Sequence, residues 1–414
     1  MKLNRSTFVV GGACTPFIGK FHPDFIWKGH KDFGQRDNPT LEDYLKSVTA
    51  SAAEATGADL AQIDKAYVGN FVGELFSNQG HLGAALAGSH PDLQYKPIMR
   101  MEGACASGGL ALVAAVDAIQ AGYDLALVVG VEVQTTANAK VGADYLARAS
   151  HYATQRSLDP MTFPALFARR AKVVREAFGV TENDLADLAV KAYGNANKNP
   201  LAHMRTVKMD REAALSSPLF LENPELNPYM RVSHCSQVSD GACAIIIASE
   251  EGLKKLGKVR ADVSELASYG HAAGSLYHVD DMLGLTTTAV AARNAYRDAG
   301  ISPADVAVAE VHDCFAITEV LMYEALGFAE RSHGVDLVRN GATTLEGRIP
   351  VNTGGGLLAF GHPVGATGVK QILELHRQLK GQAGAYQVAT RSGYALAANM
   401  GGDDRTSVVT VLKA

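Results

Sequence analysis

Two segments of the chain follow the same plan. Residues Gly57–Asn70 and Gly300–Asp313 align without a gap, and each reads as a helix end, a short polar turn and a strand that ends on a polar pair. A sequence that repeats its own plan predicts two similar halves packed about a pseudo-twofold axis. Such packing would bring equivalent loops of the two halves together at one interface.

Apolar strands alternate with helical patterns along most of the chain, which indicates an α/β fold. The continuous apolar run Leu125–Val131 is typical of a strand covered on both faces. Residues 134–230 are more polar and show helical patterns, after which 242–248 resumes a buried-strand pattern. We therefore predict an N-terminal half over residues 1–133 that is completed by 231–251, an inserted loop domain over 134–230, and a C-terminal half over 252–414.

Composition excludes several classes of protein. The net charge is −5, without a long run of either sign, which argues against binding to nucleic acid or to an anionic membrane surface. No apolar stretch approaches the roughly 20 residues that span a bilayer. Residues 1–5 lack a signal-peptide profile, and 412–414 are not a peroxisomal address. Five cysteines are too few and oddly numbered for a disulfide framework, so we expect a cytoplasmic location.

Three turn segments concentrate reactive side chains. They hold Cys105 in Gly-Ala-Cys-Ala-Ser-Gly-Gly, His312 and Cys314 in His-Asp-Cys-Phe, and His362 in Gly-His-Pro-Val-Gly-Ala-Thr-Gly. A thiol at a helix N-terminus is favoured as thiolate, and a neighbouring imidazole can take its proton. The other interpretation of Cys105 taken alone is a small buried cysteine, and a histidine can simply cap a turn.

The residues around these segments carry weaker signals. Asp313 is expected to cap the helix that follows it, and Cys14, Cys235 and Cys243 are expected to be structural. His234 stands beside Cys235, but no second pair follows at zinc-site spacing, so we expect no metal site. Neither a phosphate loop nor a convincing dinucleotide fingerprint occurs. We expect no permanently bound cofactor.

The three segments resemble those of the thiolase family, over nearly the whole chain. That resemblance implies a five-layer αβαβα fold, coenzyme A thioesters as substrates, a role in lipid metabolism, and homodimers or homotetramers. His312-Asp313-Cys314-Phe315 stands where many thiolases have Asn-Glu-Ala-Phe, and Asn399–Gly402 lacks their C-terminal cysteine. This pattern, together with Asn199-Pro200, resembles the sterol-carrier-protein-type branch, some of whose members act with a small partner protein.

The resemblance also implies roles for individual residues. His362 would help to generate the Cys105 thiolate, which attacks the keto carbon of a 3-oxoacyl-CoA. Cys314 would protonate the departing acetyl-CoA enolate and then deprotonate coenzyme A. One oxyanion would be held by His312 and His362, and the other by the backbone N–H groups of Cys105 and Gly401. The same groups would serve the reverse Claisen condensation.

Two other functions stay open from the sequence. A ketosynthase-like condensing enzyme shares the duplicated fold and the cysteine nucleophile but needs no second thiol. A noncatalytic acyl-CoA-binding subunit of a complex needs none of the four reactive residues. A segment at Phe21–Pro39 looks longer than in typical thiolases, and we expect it to cover a subunit contact or the substrate entrance.

Overall fold

The computed structural model describes residues 2–279 and 281–414. Its nine strands are β1 (Phe8–Cys14), β2 (Lys65–Gly69), β3 (Ile98–Met101), β4 (Leu125–Glu132), β5 (Gly241–Ala248), β6 (Ser264–Ala273), β7 (Val306–Glu310), β8 (Tyr394–Gly401) and β9 (Thr406–Lys413). They form one sheet in the order β3-β2-β4-β5-β1-β6-β9-β8-β7.

Helices connect these strands. In the N-terminal part they are α1 (Leu41–Thr56), α2 (Gly73–Phe76), α3 (Leu82–Ala87), α4 (Ser107–Gln120), α5 (Ala139–Leu146), α6 (Tyr152–Gln155), α7 (Thr162–Phe178), α8 (Glu182–Ala196), α9 (Arg211–Ser216) and α10 (Glu250–Lys255). In the C-terminal part they are α11 (Thr286–Ala299), α12 (Ala316–Ala325), α13 (Gly334–Arg339) and α14 (Thr367–Leu379), with a π-helical turn at Gly356–Phe360. Thr40 caps the N-terminus of α1, since its side chain accepts from the Asp43 N–H.

The predicted duplication is visible in the topology. In the first half β2 runs parallel to β4, and β4, β5 and β1 pair antiparallel. In the second half β7 runs parallel to β8, and β8, β9 and β6 pair antiparallel. Gly57 and Gly300 end α1 and α11 in the same left-handed conformation, with φ of 70° at both. The two halves meet through a short pairing between β1 and β6.

Three hydrophobic cores stack the elements in five layers. The first joins α1 and α3 to strands of the N-terminal half. The second places α4 and α14 between strands of both halves. The third joins α11 and α12 to strands of the C-terminal half and to α7 and α8. The layers are therefore α, β, α, β and α, which confirms the predicted fold class.

The chain between β4 and β5 forms helices α5–α9. These lie where the sequence predicts the inserted loop domain, and α7 and α8 pack on the C-terminal core. The residue limits of the domains stay a prediction. Over residues 2–279 and 281–414, none of the helices combines the length and the apolar composition needed to cross a membrane.

The N-termini of the central helices α4 and α14 approach each other closely, through glycine. A Cβ added at Gly108 would lie 2.8 Å from the Gly365 carbonyl oxygen and 3.0 Å from the backbone nitrogens of Gly368 and Val369. Backbone atoms at that distance cannot move aside independently of the helix. The contact therefore fixes the loop that precedes α14 against the start of α4.

Gly108→Ala is expected to lower the free energy of unfolding by about 1–3 kcal/mol, because the methyl group overpacks this contact. Gly194 is the matched control: it lies inside α8, is exposed, and has no atom within 4 Å of an added Cβ. There alanine should stabilise the protein by about 0.5–1 kcal/mol through helix propensity alone. Denaturant unfolding of both variants measures the difference, and equal effects at the two positions would contradict the close contact.

Candidate active site

Cys105 lies in a tight turn immediately before α4. The turn is a single 3₁₀ segment, Ala104–Ala106, and Ala104 adopts a left-handed backbone with φ of 52°. A non-glycine residue in this conformation costs about 1–3 kcal/mol, and such strain is concentrated at functional sites. The Ser107 hydroxyl accepts from the Gly103 N–H (3.0 Å) and donates to the Ala104 carbonyl (2.6 Å). These bonds hold the turn that presents Cys105.

The duplication brings both predicted histidines to this cysteine. The Cys105 sulfur and one ring nitrogen each of His312 and His362 all lie within 4.8 Å of one another. The two imidazole rings meet edge to face with centroids 5.1 Å apart. His312 is fully buried and His362 is 7 % exposed, and the Nε2 atom of each finds no hydrogen-bond partner among the described residues. Two buried imidazole nitrogens are thus available to a bound molecule.

Asn399 determines which tautomer His312 adopts. Its Oδ1 accepts from the Gly109 N–H (3.0 Å), so its amide group must face the Cys105 carbonyl (2.9 Å) and His312 Nδ1 (3.4 Å). An amide nitrogen only donates, so His312 Nδ1 accepts and the ring proton sits on Nε2. His312 therefore presents an N–H donor to the site.

Thr367 gives His362 the opposite tautomer. The Thr367 hydroxyl donates to the Pro363 carbonyl oxygen (3.1 Å) and lies 2.6 Å from His362 Nδ1. With its one proton engaged, the hydroxyl accepts from Nδ1–H, and Nε2 is left unprotonated. Burial lowers the pKa of His362 to about 3, so the ring is neutral at physiological pH. His362 therefore presents a base where His312 presents a donor.

The resting Cys105 is a thiol, which differs from the thiolate that the helix N-terminus led us to expect. Burial raises the pKa of Cys105 to about 12, and the carboxylates of Glu132 and Glu102 contribute to the increase. Hydrogen bonds from the backbone N–H groups of Gly402 and of Cys105 itself have the opposite effect. The desolvation of a buried thiolate outweighs these few donors. The proton must leave the sulfur during attack, with His362 as its acceptor.

This pKa predicts how the thiol titrates. The ultraviolet absorbance difference between the native protein and Cys105→Ala should show no thiolate near neutral pH and should grow only in the alkaline range approaching the pKa of about 12. A thiolate paired with an imidazolium would instead persist into mildly acidic solution, as in low-pKa cysteine enzymes. A signal that survives below about pH 6 would contradict the neutral pair.

Cys314 opens into the same cavity as Cys105. The cavity has a volume of about 400 Å³, and both cysteines and His362 line it. Most of its other lining residues are apolar, among them Phe71, Phe76, Leu146, Met161, Phe163 and Phe220. Burial, and next the Cys105 thiol, raises the pKa of Cys314 well above its usual range. The structure thus brings Cys105, Cys314 and His362 to one apolar cavity, and the buried His312 lies next to Cys105 and His362.

Sequence comparison places the chain among known proteins. It matches the family description "Thiolase, N-terminal domain" over residues 29–251 and "Thiolase C-terminal domain-like" over residues 268–414. The chain belongs to the thiolase family. The acetyl-CoA acetyltransferase of Methanothermobacter thermautotrophicus is 34% identical over 382 residues, which cover 92% of this chain and 96% of that protein. Rabbit (Oryctolagus cuniculus) sterol carrier protein 2 is 30% identical over 396 residues, covering 92% of this chain and 67% of that protein.

Structure comparison finds the same fold in solved structures. The solved structure titled "Ltp2-ChsH2(DUF35) aldolase" has a TM-score of 0.79 at 19% identity, and the match covers 99% of this chain and 98% of that chain. The family match and the acetyl-CoA acetyltransferase relative confirm the expectation of an acyl-CoA acyltransferase.

The oxyanion role of the Gly401 N–H stays a prediction, and the structure adds its neighbour Gly402. The backbone N–H that reaches the Cys105 sulfur belongs to Gly402, which also lines the cavity. Gly401 packs instead over the Gly103 carbonyl, which lies only 2.1 Å from the position a Cβ would take. Gly401 is the last residue of the buried strand β8, and Gly402 begins the turn after it in a left-handed conformation.

Asp313 does not cap the following helix. The residue before α12 is Phe315, which makes no side-chain cap, whereas the Asp313 carboxylate accepts from the backbone N–H groups of Leu357 and Leu358. The expectation that Asp313 caps its own helix is therefore wrong, because the loop turns the carboxylate toward the π-helical turn ahead of His362.

Asn399 is the site residue that the sequence reasoning missed. It is a buried polar side chain within the otherwise apolar strand β8, 3% exposed, and it bonds Gly109, Cys105 and His312. A buried polar residue must be hydrogen-bonded, so one amide inside an apolar strand was a usable signal.

The Cys105 sulfur and the two imidazole nitrogens also have the spacing of a metal-ligand set, but the tautomer of His312 does not suit a metal ion. To bind a metal ion, His312 Nε2 must be unprotonated. His312 Nδ1 would then carry the ring proton and would have to donate a hydrogen bond. Asn399 presents an amide donor to that second nitrogen, and the Gly109 N–H fixes this orientation. The residues therefore fit a substrate oxygen better than a metal ion.

The Phe21–Pro39 segment is anchored to the loop domain. His22 is buried and accepts from Arg205 Nε (3.3 Å), next to His203. Phe25 and Ile26 are buried, whereas Trp27 is 51% and Phe33 is 56% exposed. Its expected role at a subunit contact or at the substrate entrance stays a prediction.

Proposed function

We propose that this thiolase cleaves 3-oxoacyl-CoA with coenzyme A, or condenses acyl-CoA units in reverse, through an acyl group on Cys105. The observation that carries the proposal is that two thiols and the neutral His362 line one apolar cavity, with a nitrogen of the neutral His312 within 4.8 Å of the Cys105 sulfur. Covalent catalysis needs a nucleophile, a base beside it and donors for the developing oxyanion. Each of these parts has a candidate here.

The first half-reaction forms the acyl-enzyme. The Cys105 proton passes to His362 Nε2 as the sulfur bonds to the 3-keto carbon. The bond between carbons 2 and 3 then breaks, and its electron pair leaves as the enolate of acetyl-CoA. The Cys314 thiol protonates that enolate at carbon. Acetyl-CoA departs, and the shortened acyl group stays on Cys105.

The second half-reaction regenerates the enzyme. The Cys314 thiolate takes the proton of incoming coenzyme A, whose sulfur attacks the acyl carbonyl. The tetrahedral intermediate collapses, the new acyl-CoA leaves, and the Cys105 sulfur recovers its proton from His362. Protons and electrons balance over the two halves, and neither half needs an oxidant or a metal.

The tautomers divide the work of the two histidines. His312 offers its Nε2–H to a substrate oxygen from the beginning, whereas His362 becomes a donor only after it has taken the thiol proton. We propose that together they hold one oxyanion, and that the other is held by the backbone N–H of Cys105 with that of Gly401 or of its neighbour Gly402. Removal of a single oxyanion donor typically costs about 10²–10³ in turnover.

The cavity favours an apolar acyl group, since each buried methylene contributes about 0.8 kcal/mol. A panel of 3-oxoacyl-CoA substrates of increasing chain length, assayed for coenzyme-A-dependent cleavage with acetyl-CoA condensation alongside, tests the proposed activity. We expect cleavage of at least one member and kcat/KM that rises with chain length until the cavity is filled. Absence of turnover across the panel in both directions would oppose the proposal.

We propose further that the protein acts in the cytoplasm as a homodimer or homotetramer. Its five cysteines are free, as in a reducing compartment. Strand β3 is an edge strand of the sheet, and it carries the exposed Met99, four residues after the exposed Tyr95, so we propose that a second copy pairs along this edge. A small partner protein is proposed from the similarity to the Ltp2-ChsH2(DUF35) aldolase, whose title joins two names. Light scattering measures the assembly.

A further inference from the structure

A buried carboxylate connects two of the three loops that carry the reactive residues, the loop of His312 and Cys314 and the loop of His362. Asp313 is fully buried between His312 and Cys314 in the chain. Its Oδ1 accepts from the Leu357 N–H at 2.7 Å, and its Oδ2 accepts from the Leu358 N–H at 3.3 Å. Both donors belong to the π-helical turn Gly356–Phe360, which leads directly into His362. The carboxylate therefore spans from one reactive loop to the other.

The turn is built to admit this carboxylate. Gly356 has a left-handed backbone with φ of 60°, and a Cβ there would lie 2.2 Å from Asp313 Oδ2. Only glycine lets the carboxylate reach the N–H groups behind it. The π-helix is a rare conformation that is found mostly at functional sites. The glycine-rich run before His362 thus has a specific use, the close approach of Asp313.

The position of Asp313 is costly for stability. Burial, followed by the neighbouring Glu319 carboxylate, raises the pKa of Asp313, against the effect of its two backbone hydrogen bonds and of Lys370. An ionisable group without a close counter-ion destabilises an apolar interior. Its retention indicates a task that a neutral, apolar residue could not perform.

We propose that Asp313 is a positioning residue: through Leu357 and Leu358 it fixes the turn that carries His362, and thereby the approach of the His362 base to the Cys105 thiol. This inference rests on the proposed role of His362 as the base for Cys105. A displacement of about 1 Å at such a site can cost about 10²-fold in rate. Asp313 makes no hydrogen bond to Cys105, and yet loss of its carboxylate should lower the reactivity of Cys105.

The rate at which iodoacetamide alkylates Cys105, followed by peptide mass spectrometry, tests the proposal without any coenzyme A substrate. His362→Asn should slow this alkylation by about 10²-fold, within the usual range for a general base. Asp313→Ala and Gly356→Ala should each slow it by about tenfold or more, since a displaced base transfers protons poorly. Asp313→Asn keeps an acceptor for Leu357 and should show a smaller loss.

Stability measurements separate positioning from simple folding damage. Asp313→Asn removes the buried ionisable group, so its unfolding temperature should stay within about 4 °C of the native value or rise. In the double variant with His362→Asn, the two losses should not add, because Asp313 acts through a base that is already absent. A purely structural role would instead slow Cys105 further in the double variant.

Asp64→Asn is the matched control. The Asp64 carboxylate also accepts hydrogen bonds from two backbone N–H groups, those of Asp124 and Leu125 at 2.9 Å each. This contact lies at the N-terminal end of β4. Asp64→Asn should leave Cys105 alkylation unchanged. Native-like alkylation in folded Asp313→Asn and Asp313→Ala, additive losses in the double variant, or no effect of His362→Asn would each overturn the inference. Failure of the proposed function would appear separately, as native protein that reacts with iodoacetamide yet turns over no acyl-CoA.

Discussion

Cys105→Ala is expected to lower turnover by at least about 10⁴-fold, because removal of a covalent nucleophile eliminates the acyl-enzyme route. The sulfur is the atom that both imidazole nitrogens approach, within 4.8 Å. Substrate binding should survive, since the cavity is lined mainly by other side chains. Steady-state cleavage of 3-oxoacyl-CoA measures the loss, and binding of acyl-CoA to the variant measures what is retained.

Cys235 offers a control thiol in the same cavity. Its sulfur is engaged with the Arg231 carbonyl oxygen (3.4 Å), and burial raises the pKa of Cys235 above its usual range. Cys235→Ala should retain most of the turnover and change chiefly KM. If Cys105→Ala retained native-like turnover, or if Cys235→Ala lost as much, the assignment of the nucleophile would be wrong.

Cys314→Ala is expected to lower carbon–carbon cleavage by about 10³-fold, within the range that general acid–base catalysis contributes. An enolate carbon is a strong base and leaves only with a proton donor beside it. A departing thiolate is far less basic and needs that proton less. The exchange of acetyl groups between coenzyme A and Cys105 should therefore fall much less, by about tenfold.

The comparison of the two reactions decides between enzyme classes. A ketosynthase-like condensing enzyme needs no second thiol, so unchanged carbon–carbon chemistry in Cys314→Ala would favour that class over the proposed mechanism. Equal losses in cleavage and in exchange would indicate that Cys314→Ala disturbs the cavity as a whole and does not remove a specific proton donor. Circular dichroism and the unfolding temperature of the variant provide the control for folding.

The sequence was sufficient for the fold because the fold is repeated. The gap-free match of Gly57–Asn70 with Gly300–Asp313 corresponds to two helix ends, two turns and two equivalent strands. Local chemistry supplied the rest, since glycine ends both helices and Thr40 begins α1. Duplication also placed Cys105 and His362 at equivalent helix starts, which is why their meeting could be predicted.

What the sequence could not supply depends on burial and on distant contacts. The thiol form of Cys105 follows from desolvation, which no local pattern encodes, and it outweighs the helix N-terminus that the sequence does reveal. Asp313 precedes a helix and therefore resembles a cap, but the tertiary contact with Leu357 decides its partner. That the N–H of Gly402 reaches the Cys105 sulfur depends on the turn after β8, which the sequence does not reveal.

The acyl group on Cys105 can be detected directly by intact-protein mass spectrometry after acetyl-CoA is added and the reaction is stopped with acid. We predict a mass increase of one acetyl group, located at Cys105 by peptide mapping, absent from Cys105→Ala and removed when coenzyme A is added. An unmodified protein would favour a noncatalytic acyl-CoA-binding subunit, and an acetyl group on Cys314 instead would contradict the proposed nucleophile.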